Sequence, residues 1–138
     1  MLLVDTNVLI DVLQDDPKWA DWSIRQLRAQ SQLHELAINP IIYSELSLMY
    51  ESIEALEQTL VEMRLSFLEV PRPALFVAAK AFMRYRREGG TKQNVLPDFF
   101  IGGHAAVARC PVLTRDPARY RSYFPTVELL TPEPAARS

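Results

Sequence analysis

The chain has 138 residues, is 49% hydrophobic, has a mean hydropathy of −0.04 and carries a formal net charge of −2. These values predict one soluble globular domain with a sizeable core. The weakly polar stretch FFIGGHAAVA at 99–108 is far shorter than the roughly 18 apolar residues of a membrane span. No basic segment precedes the first apolar residues, so no signal peptide is predicted. Cys110 is the only cysteine, which excludes an internal disulfide and favours a cytoplasmic location.

Charge is unevenly distributed along the chain. Residues 1–62 carry 11 acidic and 3 basic side chains, a balance of −8, whereas residues 63–138 carry 6 acidic and 12 basic ones, a balance of +6. Such an asymmetry favours an anion-binding face. It disappears in space if the two halves interleave in the fold.

Short apolar runs alternate with stretches of helical spacing. The runs predict five strands, at 2–4, 36–38, 67–70, 112–114 and 127–130. Asp16-Pro17 offers an N-cap and a first-turn proline, which predicts a helix over about 17–33. Apolar stripes predict further helices around 53–63 and 75–83, the second ending at Gly89-Gly90. Leu96-Pro97-Asp98 predicts another helix over about 98–109.

Strands that alternate with helices predict an α/β fold, with a mostly parallel sheet covered on both faces. In such sheets, binding sites form in the crevice outside the carboxyl ends of the strands. The first strand, Leu2 to Val4, is followed at once by Asp5. That carboxylate is therefore expected to face the crevice.

Three further acidic residues occupy comparable positions, at a strand end or near a helix start. The resulting set of four is Asp5, Glu45, Asp98 and Asp116. Each also has a purely structural explanation, as a helix N-cap, a turn residue or a solvated helix residue. A cap needs no second acid beside it, so four acids around one predicted rim favour a shared site.

Four carboxylates in one crevice repel each other and need protons or a cation to persist. Oxygen ligands suit Mg²⁺ or Mn²⁺. Zinc is not expected, because His34 and His104 lack ligand spacing and only one cysteine is present; His104 is expected to be a hydrogen-bonded helix histidine. A hard cation on carboxylates activates water and stabilises a leaving oxygen, which points to phosphodiester or phosphoryl hydrolysis.

Basic side chains and tyrosines are interleaved between residues 84 and 124. This mixture suits single-stranded nucleic acid, through phosphate pairing and base stacking. The alternative is a solvated basic helix end beside core aromatics. The residues predicted to bind the nucleic acid are Arg84, Arg86, Arg87, Lys92 and Arg115.

Four segments together resemble the PIN domain family, and within it the VapC-type toxins of bacterial toxin–antitoxin pairs. The segments are MLLVDTNVLID, SELSL, LPDFFIGGHAA and VLTRDPARYRSYFPTVELL, in that order along the chain. The resemblance runs from Met1 to about Thr131. It implies one nuclease domain over 1–131, followed by a flexible tail over 132–138.

The resemblance implies a three-layer α/β/α sandwich around a central, mostly parallel five-stranded sheet. It implies that Asp5, Glu45, Asp98 and Asp116 bind one or two Mg²⁺ or Mn²⁺ ions and act in catalysis. Thr6, Asn7 and Thr114 would orient these carboxylates by hydrogen bonding. The implied activity is endonucleolytic cleavage of RNA. The implied partners are a cognate antitoxin and a second copy of the chain.

Two other classes of function remain open from the residues. One is a phosphomonoester hydrolase or phosphotransferase on a similar sheet, although Asn7 stands where such an enzyme would want a second acid. The other is a non-catalytic module that binds RNA or protein and keeps the acids as a metal-stabilised structural site. Metal-dependent cleavage that an Asp-to-Asn change abolishes would separate the nuclease from both.

Overall fold

The computed structural model describes residues 1–92 and 94–132. The tail predicted over 132–138 lies outside these residues, apart from Pro132. Five strands form one sheet: β1 (Leu2–Val4), β2 (Leu36–Ile38), β3 (Ser66–Phe67), β4 (Val112–Leu113) and β5 (Leu129–Leu130). All four strand pairings are parallel, and the strand order is β3-β2-β1-β4-β5. The predicted parallel α/β sheet is confirmed.

Seven helices connect and flank these strands. They are α1 (Thr6–Leu13), α2 (Ala20–Ser31), α3 (Pro40–Ser47), α4 (Ile53–Glu62), α5 (Arg72–Arg87), α6 (Leu96–Ala108) and α7 (Ala118–Tyr123). Every residue of β1, β2 and β4 is buried. This is why those strands appear in the sequence as continuous apolar runs rather than alternating ones. The two edge strands, β3 and β5, are only partly buried or exposed.

The strand order reverses direction at β1. The chain moves outward from β1 through β2 to β3, then returns across the sheet to place β4 on the other side of β1. Because parallel crossovers are right-handed, this reversal puts the helices before and after it on opposite faces of the sheet. The crevice between the carboxyl ends of β1 and β4 is therefore the switch point at which such sheets bind ligands.

The structure corrects the extent of several predicted elements. The helix predicted over 17–33 spans only Ala20–Ser31. The Asp16 carboxylate accepts hydrogen bonds from the amides of Lys18 and Trp19, at 2.9 Å each. It thus stabilises a turn that precedes the helix. The strands predicted at 67–70, 112–114 and 127–130 are each only two residues long in the structure. Regular pairing is confined to Ser66–Phe67, Val112–Leu113 and Leu129–Leu130.

The glycine pair in α6 brings that helix against its neighbours. A Cβ on Gly103 would lie 2.7 Å from the Ala74 carbonyl oxygen in α5, and one on Gly102 would overlap the Phe124 ring. The close approach fixes α6, and with it Asp98 in its first turn, against α5 and the end of α7. Helix α6 begins at Leu96, two residues before the predicted start.

Candidate active site

The four predicted acidic residues meet at the switch point. Asp5 follows β1 directly, and Asp116 lies in the loop after β4. Asp98 lies in the first turn of α6, and Glu45 is the sixth residue of α3. Their charges influence one another: Asp98 raises the pKa of Asp5, while Glu45 and Asp116 raise that of Asp98. The chain order β1, α3, α6, β4 thus delivers four distant carboxylates to one crevice.

Asp5 is the buried centre of the site, with 4% of its surface exposed. Its Oδ1 accepts from the backbone amide of Thr6 at 2.8 Å, which makes Asp5 the N-cap of α1. Its Oδ2 accepts from Thr114 Oγ1 at 2.9 Å and from the Tyr120 hydroxyl at 2.8 Å. Burial, and then the charge of Asp98, raise the pKa of Asp5 to about 7 against the opposing effect of these hydrogen bonds.

Thr6 and Asn7 connect Asp5 to the other acidic positions. Thr6 Oγ1 donates to Glu45 Oε1 at 2.6 Å, which ties α3 to the start of α1. Asn7 Nδ2 lies 3.2 Å from Thr114 Oγ1 and 3.4 Å from Asp5 Oδ2. Thr114 Oγ1 also accepts from the amide of Asp116 at 3.1 Å. Thr6, Asn7 and Thr114 therefore lie where the sequence predicted carboxylate-orienting residues.

Arg119 provides a positive charge inside this acidic cluster. Its Nη1 lies 3.2 Å from Asp98 Oδ2, and its guanidinium lies 5.5 Å from the centre of the Tyr85 ring. Burial raises the pKa of Asp98, and Arg119 opposes that shift. Asp98 thus has a counter-charge of its own, whereas Asp5 has only neutral donors.

The donor set fits a hard divalent cation such as Mg²⁺ or Mn²⁺, because it consists of carboxylate oxygens around one crevice. Asp5 Oδ1 accepts a single amide hydrogen bond, so a lone pair of this buried oxygen remains for a cation. Within residues 1–92 and 94–132, however, no three His, Cys, Asp or Glu side chains already stand in a metal-holding arrangement. Binding of an ion by three or more of these acids therefore requires their side chains to move closer together.

The predicted RNA-binding residues fall into two groups. At the end of α5, Arg84 Nη2 donates to the Ser122 carbonyl at 3.0 Å and lies against the Tyr123 ring. Arg86, Arg87 and Lys92 are exposed beside it. Arg115 lies apart from them: its Nε contacts Asp11 Oδ2 at 2.6 Å, and its side chain is only 30% exposed.

Sequence analysis missed three residues of this region: Tyr120, Arg119 and Asp11. Each lies within a quoted segment, Asp11 at the end of VDTNVLID and the other two in RDPARY. Short helix α7 was not predicted, and without it neither Arg119 nor Tyr120 could be directed at the acids. The closeness of Arg119 and Tyr120 to Asp116 in the sequence was a signal, but it does not give the direction of either side chain.

His104 is a buried histidine of α6, as the sequence predicted. It is 2% exposed, and its Nδ1 lies 3.1 Å from Asn39 Nδ2. Asn39 in turn caps α3 by accepting from the Ile42 amide at 3.0 Å. Burial lowers the pKa of His104, which favours the neutral ring. The residue helps to hold α3 and α6 together.

A parallel sheet with acidic residues at its switch point defines an α/β domain whose candidate site lies at the carboxyl ends of its strands. The model of the PIN domain family matches residues 2–124, and the chain belongs to that family. No curated protein sequence matches the chain significantly. No helix in the part of the chain that the structure describes is long and apolar enough to cross a membrane.

Solved structures confirm the fold. VapBC2 from Rickettsia felis, bound to a DNA fragment from its promoter, has a TM-score of 0.72 at 18% identity, covering 94% of this chain and 97% of that one. FitAcB from Neisseria gonorrhoeae has a TM-score of 0.67 at 22% identity, and the match covers 94% of this chain and 96% of that one. A toxin–antitoxin complex from Klebsiella pneumoniae has a TM-score of 0.65 at 20% identity, and the match covers 92% of this chain and 95% of that one.

Proposed function

We propose that this protein is a divalent-metal-dependent endoribonuclease that hydrolyses single-stranded or loop RNA, and that it is the toxin of a toxin–antitoxin pair. The observation that carries the proposal is the meeting of four carboxylates around buried Asp5 at the switch point of a PIN domain. PIN domains generally use divalent metal ions. The similar solved chains come from toxin–antitoxin complexes, which favours the same partnership here.

Asp5, Glu45, Asp98 and Asp116 are the residues that would hold Mg²⁺ or Mn²⁺. Such an ion, when bound, would lower the pKa of a water molecule, neutralise phosphate charge and stabilise the leaving oxygen. His104 is not available to activate water, since it is buried within α6 and bonded to Asn39. Neutralising the crowded carboxylates also makes the crevice accessible to an RNA phosphate.

The chain itself orients the site and attracts the substrate. Thr6 holds Glu45, while Thr114 and Asn7 hold Asp5. We place the RNA backbone on the basic end of α5, where Arg84 already lies against α7. The full proposed set is Arg84, Arg86, Arg87, Lys92 and the half-buried Arg115.

The antitoxin is proposed as a second protein that covers the acidic crevice and blocks RNA. An arginine or lysine side chain is the natural ligand for a carboxylate cluster that already accepts the guanidinium of Arg119. The purified toxin must therefore be freed of antitoxin before its activity is measured.

The test is cleavage of a mixed RNA pool in Mg²⁺, in Mn²⁺ and in EDTA. The wild type should give discrete cuts only with metal, and Asp98→Asn should reduce the rate at least a hundredfold. Asp21→Asn is the matched control, because Asp21 is exposed on α2 and should leave the rate unchanged. A folded wild-type protein that binds RNA without cutting it in either metal would contradict the proposal and favour a binding module.

A phosphomonoester substrate is tested in parallel. The proposed nuclease should release no phosphate from p-nitrophenyl phosphate under conditions in which it cuts RNA. Release of phosphate without RNA cleavage would assign the site to a phosphomonoester hydrolase instead.

A further inference from the structure

Tyr120 presents its hydroxyl to Asp5 from a fully buried position. The side chain is 1% exposed, and the hydroxyl donates to Asp5 Oδ2 at 2.8 Å across 115 residues of sequence. No other hydrogen bond of this hydroxyl is present among residues 1–92 and 94–132. The residue lies in α7, whose six residues begin just after Asp116 and Pro117.

The two oxygens of Asp5 are held very differently. Oδ2 accepts from the hydroxyls of Tyr120 and Thr114 and is approached by the Asn7 amide at 3.4 Å. An oxygen with that many donors has no lone pair left for a cation. Oδ1 accepts only the Thr6 amide, at 2.8 Å.

We propose that Tyr120 is a positioning residue that saturates Oδ2 of Asp5, so that Asp5 offers a divalent cation one oxygen, Oδ1. The inference rests on the proposed metal-dependent function and names a residue on which that site depends. Outer hydrogen-bond partners of metal-ligating groups commonly account for a 10–100-fold difference in metal affinity or activity.

The geometry also explains the tyrosine in the segment TRDPARY. Tyr120 follows Asp116 by four residues, and α7 begins between them at Ala118, so the start of this short helix links the loop that carries Asp116 to the bond with Asp5. Phenylalanine would fill the same space but leave Oδ2 with a free lone pair. The carboxylate could then rotate or bind the cation through both oxygens.

The experiment titrates Mn²⁺ into EDTA-stripped full-length protein by isothermal calorimetry, with no RNA present. Tyr120→Phe should weaken Mn²⁺ binding about tenfold. Tyr50→Phe is the matched control, since it also removes a hydroxyl hydrogen bond, at 2.8 Å, but one made to Thr59 and not to any of the four acids. It should bind Mn²⁺ as the wild type does. Equal affinities of Tyr120→Phe and the wild type would overturn the positioning role while leaving the nuclease proposal intact.

A spectroscopic measurement covers the case in which Tyr120→Phe folds poorly. Binding of Mg²⁺ to Asp5 should change the environment of the Tyr120 phenol and so produce a near-ultraviolet difference spectrum in the wild type and in Tyr50→Phe. That tyrosine signal should be absent from Tyr120→Phe. The same signal in all three proteins would overturn the inference. A wild type that binds neither Mn²⁺ nor Mg²⁺ would refute the proposed function itself.

Discussion

At the scale of single residues, the ionised Asp5 carboxylate of the candidate site destabilises the folded protein. Its carboxylate is buried and faces Asp98, and neutral hydrogen-bond donors offset only part of that cost. The pKa of Asp5 in the metal-free protein is raised from 3.8 to about 7. A buried carboxylate without a fixed counter-charge favours the binding of a cation, which is what the proposed function requires.

The raised pKa predicts how stability depends on pH without metal. Between about pH 4 and pH 7 the folded state holds a proton on Asp5 that the unfolded chain has released, so Asp5 lowers the free energy of unfolding as pH rises. In the limit this loss is on the order of 4 kcal/mol. Asp5→Asn should remove it, and the variant should therefore gain stability relative to the wild type at pH 8 but not at pH 4.

Urea denaturation in EDTA at these two pH values measures the difference. Comparing variant with wild type cancels the opposite contribution of His104, whose lowered pKa destabilises the fold as pH falls below about 6.5. If the wild type and Asp5→Asn differ in free energy of unfolding by the same amount at both pH values, the raised pKa of Asp5 is contradicted.

The sequence predicted the four acids and their partners Thr6, Asn7 and Thr114, but not Tyr120 or Arg119. The four acids could be found because of where they stand in the sequence. Asp5 and Asp116 follow strands, and Glu45 and Asp98 lie in helices that begin at the same edge of the sheet. Tyr120 and Arg119 could not be, since the direction of both side chains depends on α7, a helix of six residues with no apolar stripe to reveal it. Arg115 was predicted to face RNA, and its ion pair with Asp11 could not be foreseen across 104 residues.

At the scale of elements, the contact of Asp11 with Arg115 joins the first and last segments of the PIN resemblance. Asp11 is buried in α1 and also accepts from Ser23 Oγ of α2 at 3.1 Å. The backbone amide of Arg115 donates to Asn7 Oδ1 at 3.3 Å. These bonds hold the loop after β4, and so help to place Asp116.

Removing the arginine should therefore destabilise the protein. Arg115→Met leaves the Asp11 charge buried and should cost about 2–3 kcal/mol, less than for a fully buried pair because Arg115 is 30% exposed. Adding Asp11→Asn should restore part of the loss. Chemical denaturation of the two single variants and the double variant measures the coupling.

The exposed pair of Arg84 and Glu88 provides the comparison, since its side chains are 48% and 57% exposed. Arg84→Met should cost less than about 1 kcal/mol. Strict additivity of Arg115→Met and Asp11→Asn would show that the contact with Asp11 does not stabilise the loop.

The basic end of α5 is expected to act through phosphate charge. Arg87→Ala and Lys92→Ala should each reduce the slope of log affinity against log salt concentration by about 0.7 for single-stranded RNA. Binding is measured in EDTA, so that no RNA is cut. Arg25→Ala on α2 is the control, because it removes an exposed arginine from another helix. Slopes that fall equally in all three variants would contradict an RNA path over α5.

Element existence was more predictable than element extent. The buried strands β1, β2 and β4 could be identified because their apolar runs are continuous. The ends of edge strands β3 and β5 are harder to predict, because only two residues of each pair with a neighbouring strand. The helix after Asp16 begins later than predicted, because the carboxylate caps the turn before it. The sequence showed that Asp16 caps a nearby segment. Which backbone amides its carboxylate accepts from depends on the tertiary fold.

At the scale of the whole molecule, α5 presents an apolar face to solvent. Leu75, Phe76 and Met83 are 41%, 65% and 49% exposed. Their spacing places them along one side of the helix. Exposed apolar patches mark interaction surfaces, and we predict that this one forms the interface of the homodimer that the PIN resemblance implies.

Phe76→Glu should convert the dimer to a monomer, because burying a charged side chain at an apolar interface costs free energy. Light scattering after size-exclusion chromatography measures the mass. Leu33→Glu, which changes an exposed leucine far from α5 in sequence, should leave it unchanged. A monomeric wild type at the concentrations used for the cleavage assay would contradict this prediction.

The metal site is the central claim, and the most direct measurement is an anomalous difference map from crystals soaked in Mn²⁺. The four-carboxylate site predicts a peak within coordination distance of Asp5 Oδ1 and of at least two oxygens from Glu45, Asp98 and Asp116. Asp98→Asn crystals should show a weaker peak or none. A saturated crystal with no manganese at the switch point, from protein that cleaves RNA in the same buffer, would show that the acids do not hold the catalytic ion.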